Sequence, residues 1–325
     1  MDTSTHLVMG IGLFGLAHLD PSMGHTETAT AVLAGTVIGS QAPDSDTIYR
    51  LFSNSLYIRK HRGFSHSLPM LLLWPILITS GLLLIFPTAV ATHLWLWTWL
   101  AVAIHIFIDL FNAYGTQALR PFSQKWISWN IINIFDPFIF TLHLVGILLW
   151  SFHLFNPGII FAIIYLIMIL YIGWRTITHQ RLQSWVQAHT QEEGRFTITP
   201  TYRWTRWNVV LKQNDRVRMG EIRQGQLIWT GQILMKETNH PAIEASKRSE
   251  TIQAFLSFTS YGYPILFNRP YGYEIRWLDV RYHHKKHFPF VAVVLLDHQY
   301  QAINSYVGWV SRTQLEKKVE RLLSS

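Results

Sequence analysis

Two short polar stretches interrupt an otherwise apolar sequence, Pro43-Asp44-Ser45-Asp46 and His61-Arg62-Gly63-Phe64-Ser65-His66-Ser67, and a third pair, His105 and Asp109, follows inside a run of apolar residues. Imidazoles and carboxylates beside segments hydrophobic enough for a bilayer are costly unless they have partners. A spacing of i, i+4 puts His105 and Asp109 on one helical face. With His6, the candidates are His6, Asp44, Asp46, His61, His66, His105 and Asp109, a set of nitrogen and oxygen donors suited to zinc, and also to manganese or iron. The sequence has no cysteine, so thiolate sites and disulfides are excluded. Seven ligands exceed what one tetrahedral ion with an open position needs, but suit two ions sharing a carboxylate. Such a centre lowers the pKa of a bound water and stabilises an oxyanion at phosphorus or carbon. Arg62, between the two histidines, is the candidate clamp for a substrate phosphate or carboxylate.

Each residue also has a plainer reading. Asp44 and Asp46 suit an Asx turn with a helix cap, and Asp109 would be satisfied by one arginine from a neighbouring helix. His93, His143 and His153 are isolated in apolar sequence and read as hydrogen-bonded or interfacial residues. The coincidence of several pairs favours the metal reading.

The elements that must position these groups divide near residue 174. Residues 1–174 carry six basic and seven acidic side chains and residues 175–325 carry 21 and 12, so the net charge of +8 comes from the C-terminal half. Leu7–Ala17 and Ala29–Ala42 are short and rich in small residues, which predicts a buried or partly inserted hairpin. It would bring His6 to the same end as Asp44 and Asp46. Met70–Val90, Leu94–Phe111, Phe138–Phe152 and Ile159–Trp174 read as four spans. The even number puts the HRGFSHS loop and the C-terminal half on one side, and Arg59, Lys60, Arg62, Arg175 and Arg181 make that side cytoplasmic. No basic flank or cleavage site at the N-terminus suggests a removed signal.

The fold class expected is an all-α polytopic membrane domain over 1–174 followed by a small, mostly β (α+β), basic cytosolic domain over 175–325. A helix is predicted through Gln191, then strands at 196–198, 208–212, 217–222, 227–234, 275–282 and 290–296, with a closing amphipathic helix over 313–323. The His283-His284-Lys285-Lys286-His287 run reads as a solvated hairpin turn. Trp204-Thr205-Arg206-Trp207 is a weak signal for nucleic acid, since a strand or interfacial anchor explains it equally.

Thr5-His6, Pro43-Asp44-Ser45-Asp46, His61-Arg62-Gly63-Phe64-Ser65-His66-Ser67, and His105-Ile106-Phe107-Ile108-Asp109 followed by Gly115-Thr116 and Pro121 resemble, in order and spacing, the YdjM-like family of membrane-bound metal-dependent hydrolases. The resemblance covers the first 125 to 175 residues. It implies a bacterial inner-membrane enzyme with one or two divalent ions, zinc first. A more distant similarity is to the zinc-dependent phospholipase C group, which uses a processed N-terminal residue as a ligand and has a later His-x-x-x-Glu pair. Here the chain begins Met1-Asp2, and Ile147 stands four residues after His143, with Asp136 as a substitute carboxylate from another direction. That similarity points to a phosphoester, small or lipid, as substrate and to membrane lipid as a partner. The rival expectation is a non-enzymatic membrane adaptor with a structural metal and a basic domain that binds protein or nucleic acid. A proton-coupled transporter is disfavoured by the few spans.

Overall fold

A computed structural model describes residues 1–283 and 287–324. His284, Lys285 and Lys286, the middle of the predicted basic turn, lie outside the described residues. The chain forms two compact units: Met1–Thr47 with His61–Thr178, and Ile48–Lys60 with His179–Ser325.

The first unit is helical. α1 (Thr3–Ala17) starts at Asp2, whose carboxylate accepts from the Thr5 amide at 3.1 Å. It packs against α2 (Thr26–Gly39) where a Cβ on Gly10 would meet Ser40 Cβ at 2.8 Å. Small residues of this kind let helix backbones approach closely. A 3-10 segment, Ala42–Leu51, carries the two aspartates. Counted along the chain, α3 (Asn54–Lys60) belongs to the second unit. α4 (Met70–Ile85), α5 (Ala91–Leu110), α6 (Pro137–Ser151) and α7 (Pro157–Thr190) follow. Leu13, Ile108, Ile132, Ile139 and Phe161 form the buried centre that α1, α5, α6 and α7 share with the loop after α5.

Two of the four expected spans, α5 and α7, are long and apolar enough to cross a membrane. α4 and α6 have 16 and 15 residues, fewer than the roughly 20 that span a hydrocarbon core. α4 stops early because Pro87 disfavours helical geometry in Phe86, which has φ −120° and ψ 70°. α7 joins the span expected to Trp174 and the helix expected from there through Gln191 into one element of 34 residues ending at Thr190, roughly 51 Å at 1.5 Å per residue, because the change from apolar to basic composition at Arg175 leaves helix-forming residues in place.

The second unit contains two four-stranded antiparallel sheets, β1 (Arg195–Pro200), β2 (Arg206–Lys212), β3 (Arg216–Arg223) and β4 (Gln226–Leu234) in one, β5 (Gly262–Arg269), β6 (Gly272–Asp279), β7 (Phe290–Leu296) and β8 (Ala302–Trp309) in the other, each in sequential order. β7 is buried along its whole length, as its continuous apolar sequence requires. Phe255 of α9 (Glu250–Phe258), which follows the short α8 (Pro241–Ser246), stacks on Phe290 at 4.8 Å. Leu315 and Val319 of α10 (Arg312–Ser324) pack with Leu278, Val291 and Val293. β5, β8, α8 and α9 are additional to the predicted elements.

Candidate metal centre

α5 presents His105 and Asp109 one turn apart, both buried. His66 comes from the 3-10 turn Phe64–His66 and Asp44 from the Ala42–Leu51 segment. The four offer ligand atoms that all lie within 4.8 Å of one another. His66 Nε2 is 3.3 Å from His105 Nε2, 3.5 Å from Asp44 Oδ1 and 3.6 Å from Asp109 Oδ2. His105 Nε2 is 3.8 Å from each of the same two carboxylate oxygens. Ligand atoms at the corners of a tetrahedron around zinc, with bonds of about 2.0–2.1 Å, stand about 3.3–3.4 Å apart.

The tautomers follow from the partners. His105 Nδ1 lies 2.7 Å from the Ser40 carbonyl oxygen, which only accepts, so Nδ1 carries the proton. Ser65 Oγ donates to Asp46 Oδ2 at 2.7 Å and therefore receives the Nδ1–H of His66 at 3.0 Å. Both Nε2 atoms are thereby left as bare lone pairs, facing each other and two carboxylates. Asp44 Oδ1 and Asp109 Oδ2 are buried with no hydrogen-bond donor in line among the described residues. Two imidazole lone pairs and two carboxylate oxygens converge on one buried point where only Asp109 Oδ2 has a cation beside it, the Arg62 guanidinium at 3.1 Å, among the described residues; an ion would satisfy such a cluster, and the ligand set fits a divalent ion of the zinc type.

Burial, with His105 and Arg62 beside it, keeps the His66 imidazole well below its usual value against the pull of Asp44.

The other expected ligands are close by but differently engaged. His6 stacks on His105 with ring centroids 3.6 Å apart, and its Nε2 is 3.4 Å from Asp109 Oδ1. Asp46, Asp44 and His61 form a second group of mutually close ligand atoms. Within it Asp46 already accepts from His61 Nδ1 at 2.7 Å, from the Arg62 amide at 2.8 Å and from Ser65. Asp46 thus organises the loop that presents His66. Arg62 is buried and held at φ 58°, a left-handed conformation costing about 1–2 kcal/mol for a residue with a Cβ. Its Nη2 donates to the Met1 carbonyl at 3.0 Å and lies 3.1 Å from Asp109 Oδ2 as an ion pair, while Nε and Nη1 make no hydrogen bond. Asp136 caps α6 through the Phe138 and Ile139 amides and accepts from Tyr171 Oη at 2.8 Å, so it is committed elsewhere.

Several contributors carried no signal in the sequence. Asn112 Nδ2 donates to Asp109 Oδ1 at 3.1 Å and its side-chain Oδ1 accepts from the Tyr114 and Gly115 backbone amides, so one side chain fixes both the ligand and the turn after α5. The Gln117 amide donates to the Arg62 carbonyl and the Leu68 amide to Ala118, tying that turn to the histidine loop. The Met1 amino nitrogen sits against Asp109 Oδ1 and 2.9 Å from His6 Nε2. Ser65 had a polar residue type but no reason to be singled out, and the Ser40 carbonyl has no residue type to read.

Residues 1–182 match the family described as YdjM inner membrane protein, and residues 241–319 match the YfhP C-terminal alpha/beta plait domain. A Bacillus subtilis (strain 168) protein described as "Uncharacterized protein YfhP" is 41% identical over 327 residues, covering 98% of this chain and 99% of its own length. No solved structure matches the chain.

Proposed function

Because the chain belongs to the YdjM family of inner membrane proteins, we propose that its helical domain holds a divalent metal ion between Asp44, His66, His105 and Asp109 and works as a membrane-bound hydrolase of a phosphoester. The observation that carries the metal is the convergence of two Nε2 lone pairs and two carboxylate oxygens, neither of them hydrogen bonded, on one buried point. A bound ion of this kind supplies Lewis-acid polarisation and a nucleophile at neutral pH. Zinc suits the tetrahedral spacing. A second ion, if held, has Asp44, Asp46 and His61 to hold it.

The chain's own groups supply the rest. Arg62 has two buried nitrogens without hydrogen-bond partners beside the four-ligand cluster, and a guanidinium so placed favours a phosphate oxyanion over a neutral carbonyl. Asp109 balances its charge at rest. Asp44 and His61 side chains, 12% and 11% exposed, form the open edge of an otherwise buried site. The exposed cations Arg59, Lys60 and Arg181 support a cytoplasmic side for the site and the basic domain; Arg62 and Arg175 are buried and add nothing to that count.

Metal analysis of the purified full chain tests the first half: His66→Ala and Asp109→Ala should each abolish stoichiometric metal, and unchanged content in both would refute the site. Chelator-sensitive hydrolysis of phosphomonoesters, phosphodiesters or glycerophospholipids tests the second. A metal-loaded protein inert on all of these, and on carboxylic esters and amides, would instead favour a structural metal in a non-enzymatic membrane adaptor, a reading supported by how little of the cluster is exposed.

A further inference from the structure

The chain between the two metal-site motifs does not belong to the metal-site unit. Asp46 and His61 are hydrogen bonded to each other, yet Ile48–Lys60, which joins them, is part of the C-terminal unit. There α3 packs against α9 and β8. Tyr57 and Ile58 are buried, and Arg59 donates to the Glu250 carbonyl at 3.2 Å and to Gln253 Oε1 at 3.3 Å.

This strap forms one wall of a cavity of about 210 Å3 lined by Arg50, Asn54, Tyr57, Tyr306 and Trp309 with the β8 backbone at Val307 and Gly308. The lining holds one cation and no acidic side chain. Arg50 lies over the Tyr57 ring at 4.1 Å, and Lys318 lies over the Tyr306 ring at 5.0 Å. Tyr57, Tyr306 and Trp309 give the lining an aromatic surface, with Trp309 also stacked on Phe290 at 4.4 Å, Asn54 offers an amide, and the two cations give the place a positive potential. The volume is below the 300–1,000 Å3 usual for drug-sized ligands, which limits the occupant to a small metabolite.

We propose that this cavity is a regulatory site for a small aromatic anion, whose binding fastens the strap and so strengthens metal retention at the centre whose ligand loops the strap joins. The proposal rests on the metal reading above only for its second half. A ligand bridging Arg50 and Asn54 of the strap to Tyr306 and Trp309 of β8 favours the docked strap over the undocked one. A docked strap fixes the positions of its two ends, one residue after Thr47 and one before His61, and with them the Asp46–His61 hydrogen bond. Coupling of this kind is reciprocal: the factor by which the anion raises metal affinity equals the factor by which metal raises affinity for the anion, typically about 5- to 150-fold.

The test is a titration of the full chain in lipid nanodiscs, with and without saturating zinc, using a nucleoside monophosphate, an aromatic carboxylate and inorganic phosphate as separate probes. Saturable binding of at least one aromatic anion, followed by calorimetry, is expected, with phosphate alone much weaker. Arg50→Gln should weaken it at least about tenfold, the usual scale for losing a charge-assisted hydrogen bond, and Asn54→Ala by less. Zinc should shift the anion affinity by the same factor by which the anion shifts zinc affinity. No saturable binding by any probe, or binding indifferent to Arg50→Gln, overturns the site. Binding that is lost in Arg50→Gln but leaves zinc affinity unchanged overturns the coupling. If the protein binds no zinc, the metal reading fails while the anion titration still decides the cavity.

Discussion

Removing one hydroxyl, that of Ser65, should weaken metal binding without removing a ligand. Ser65 Oγ stands between Asp46 Oδ2 and His66 Nδ1 at 2.7 and 3.0 Å. It sets the tautomer that turns the His66 Nε2 lone pair toward Asp44, His105 and Asp109. In Ser65→Ala the Nδ1–H loses its acceptor and the ring can rotate or exchange tautomer. Loss of a partner of this type costs about 10- to 100-fold in metal affinity, or about 1.4–2.7 kcal/mol at tenfold per 1.4 kcal/mol. Ser65→Thr keeps the hydroxyl and should remain close to the parent. The assay is a zinc titration of the stripped full-length protein against a chromophoric chelator, with thermal unfolding of the metal-free forms run alongside to separate affinity from stability. A Ser65→Ala affinity within twofold of the parent, or a Ser65→Thr as weak as the alanine variant, would refute the assignment of His66 as a ligand held by Ser65.

Other outcomes follow from the same geometry. Asp46→Ala strips acceptors from the His61 ring, the Arg62 amide and the Ser65 hydroxyl, so it should destabilise the metal-free protein by about 1–3 kcal/mol for each donor left buried and unpaired, measured as a fall in melting temperature. Gly10→Val should push α1 away from Ser40 and cost about 1–3 kcal/mol by overpacking; because the Ser40 carbonyl orients His105, zinc affinity should fall as well, and a variant of unchanged affinity would show that His105 does not depend on that contact. In the C-terminal unit, the hydrogen bond from Arg276 holds the Glu316 carboxyl below its usual value. A depressed carboxylate contributes stability above its unfolded pKa and loses it as the pH falls through the folded one, so docking of α10 should weaken below about pH 4.5, and Glu316→Gln should flatten that dependence in hydrogen exchange of the helix.

The candidate centre was legible where residue type alone implies cost. A histidine and an aspartate at helical spacing in an apolar run, and paired aspartates and histidines beside such runs, are expensive wherever they lie, so the residues of the four-ligand cluster could be picked out before their positions were known. How they divide could not. Asp46 and His61 have the same residue types as Asp44 and His66, yet Asp46 spends its oxygens on the loop, and only three-dimensional contacts separate an ion's ligand from a loop's anchor. The backbone acceptor at Ser40 leaves no mark on sequence at all. In the fold, β7 announced itself as an unbroken apolar run, whereas β5, Gly262-Tyr263-Pro264-Ile265-Leu266-Phe267-Asn268-Arg269, carries a glycine, a proline and a polar end that argue for a turn. Helical residues were expected both up to Trp174 and from there through Gln191; that they form one unbroken helix, α7, was hidden by the change of polarity at Arg175, across which helical periodicity continues.

The discontinuous make-up of the second unit also bears on how the molecule is made. Chains fold largely in the order in which they are synthesised, and contacts between distant segments form late because the intervening loop must first be closed. Ile48–Lys60 emerges early, but its partners α9 and β8 are among the last elements to leave the ribosome. The two ligand loops at its ends therefore wait, with the strap uncovered, until translation is nearly finished. A chain interrupted before β8 would therefore keep Tyr57 and Ile58 of the strap, apolar side chains buried in the finished fold, without part of the surface that covers them.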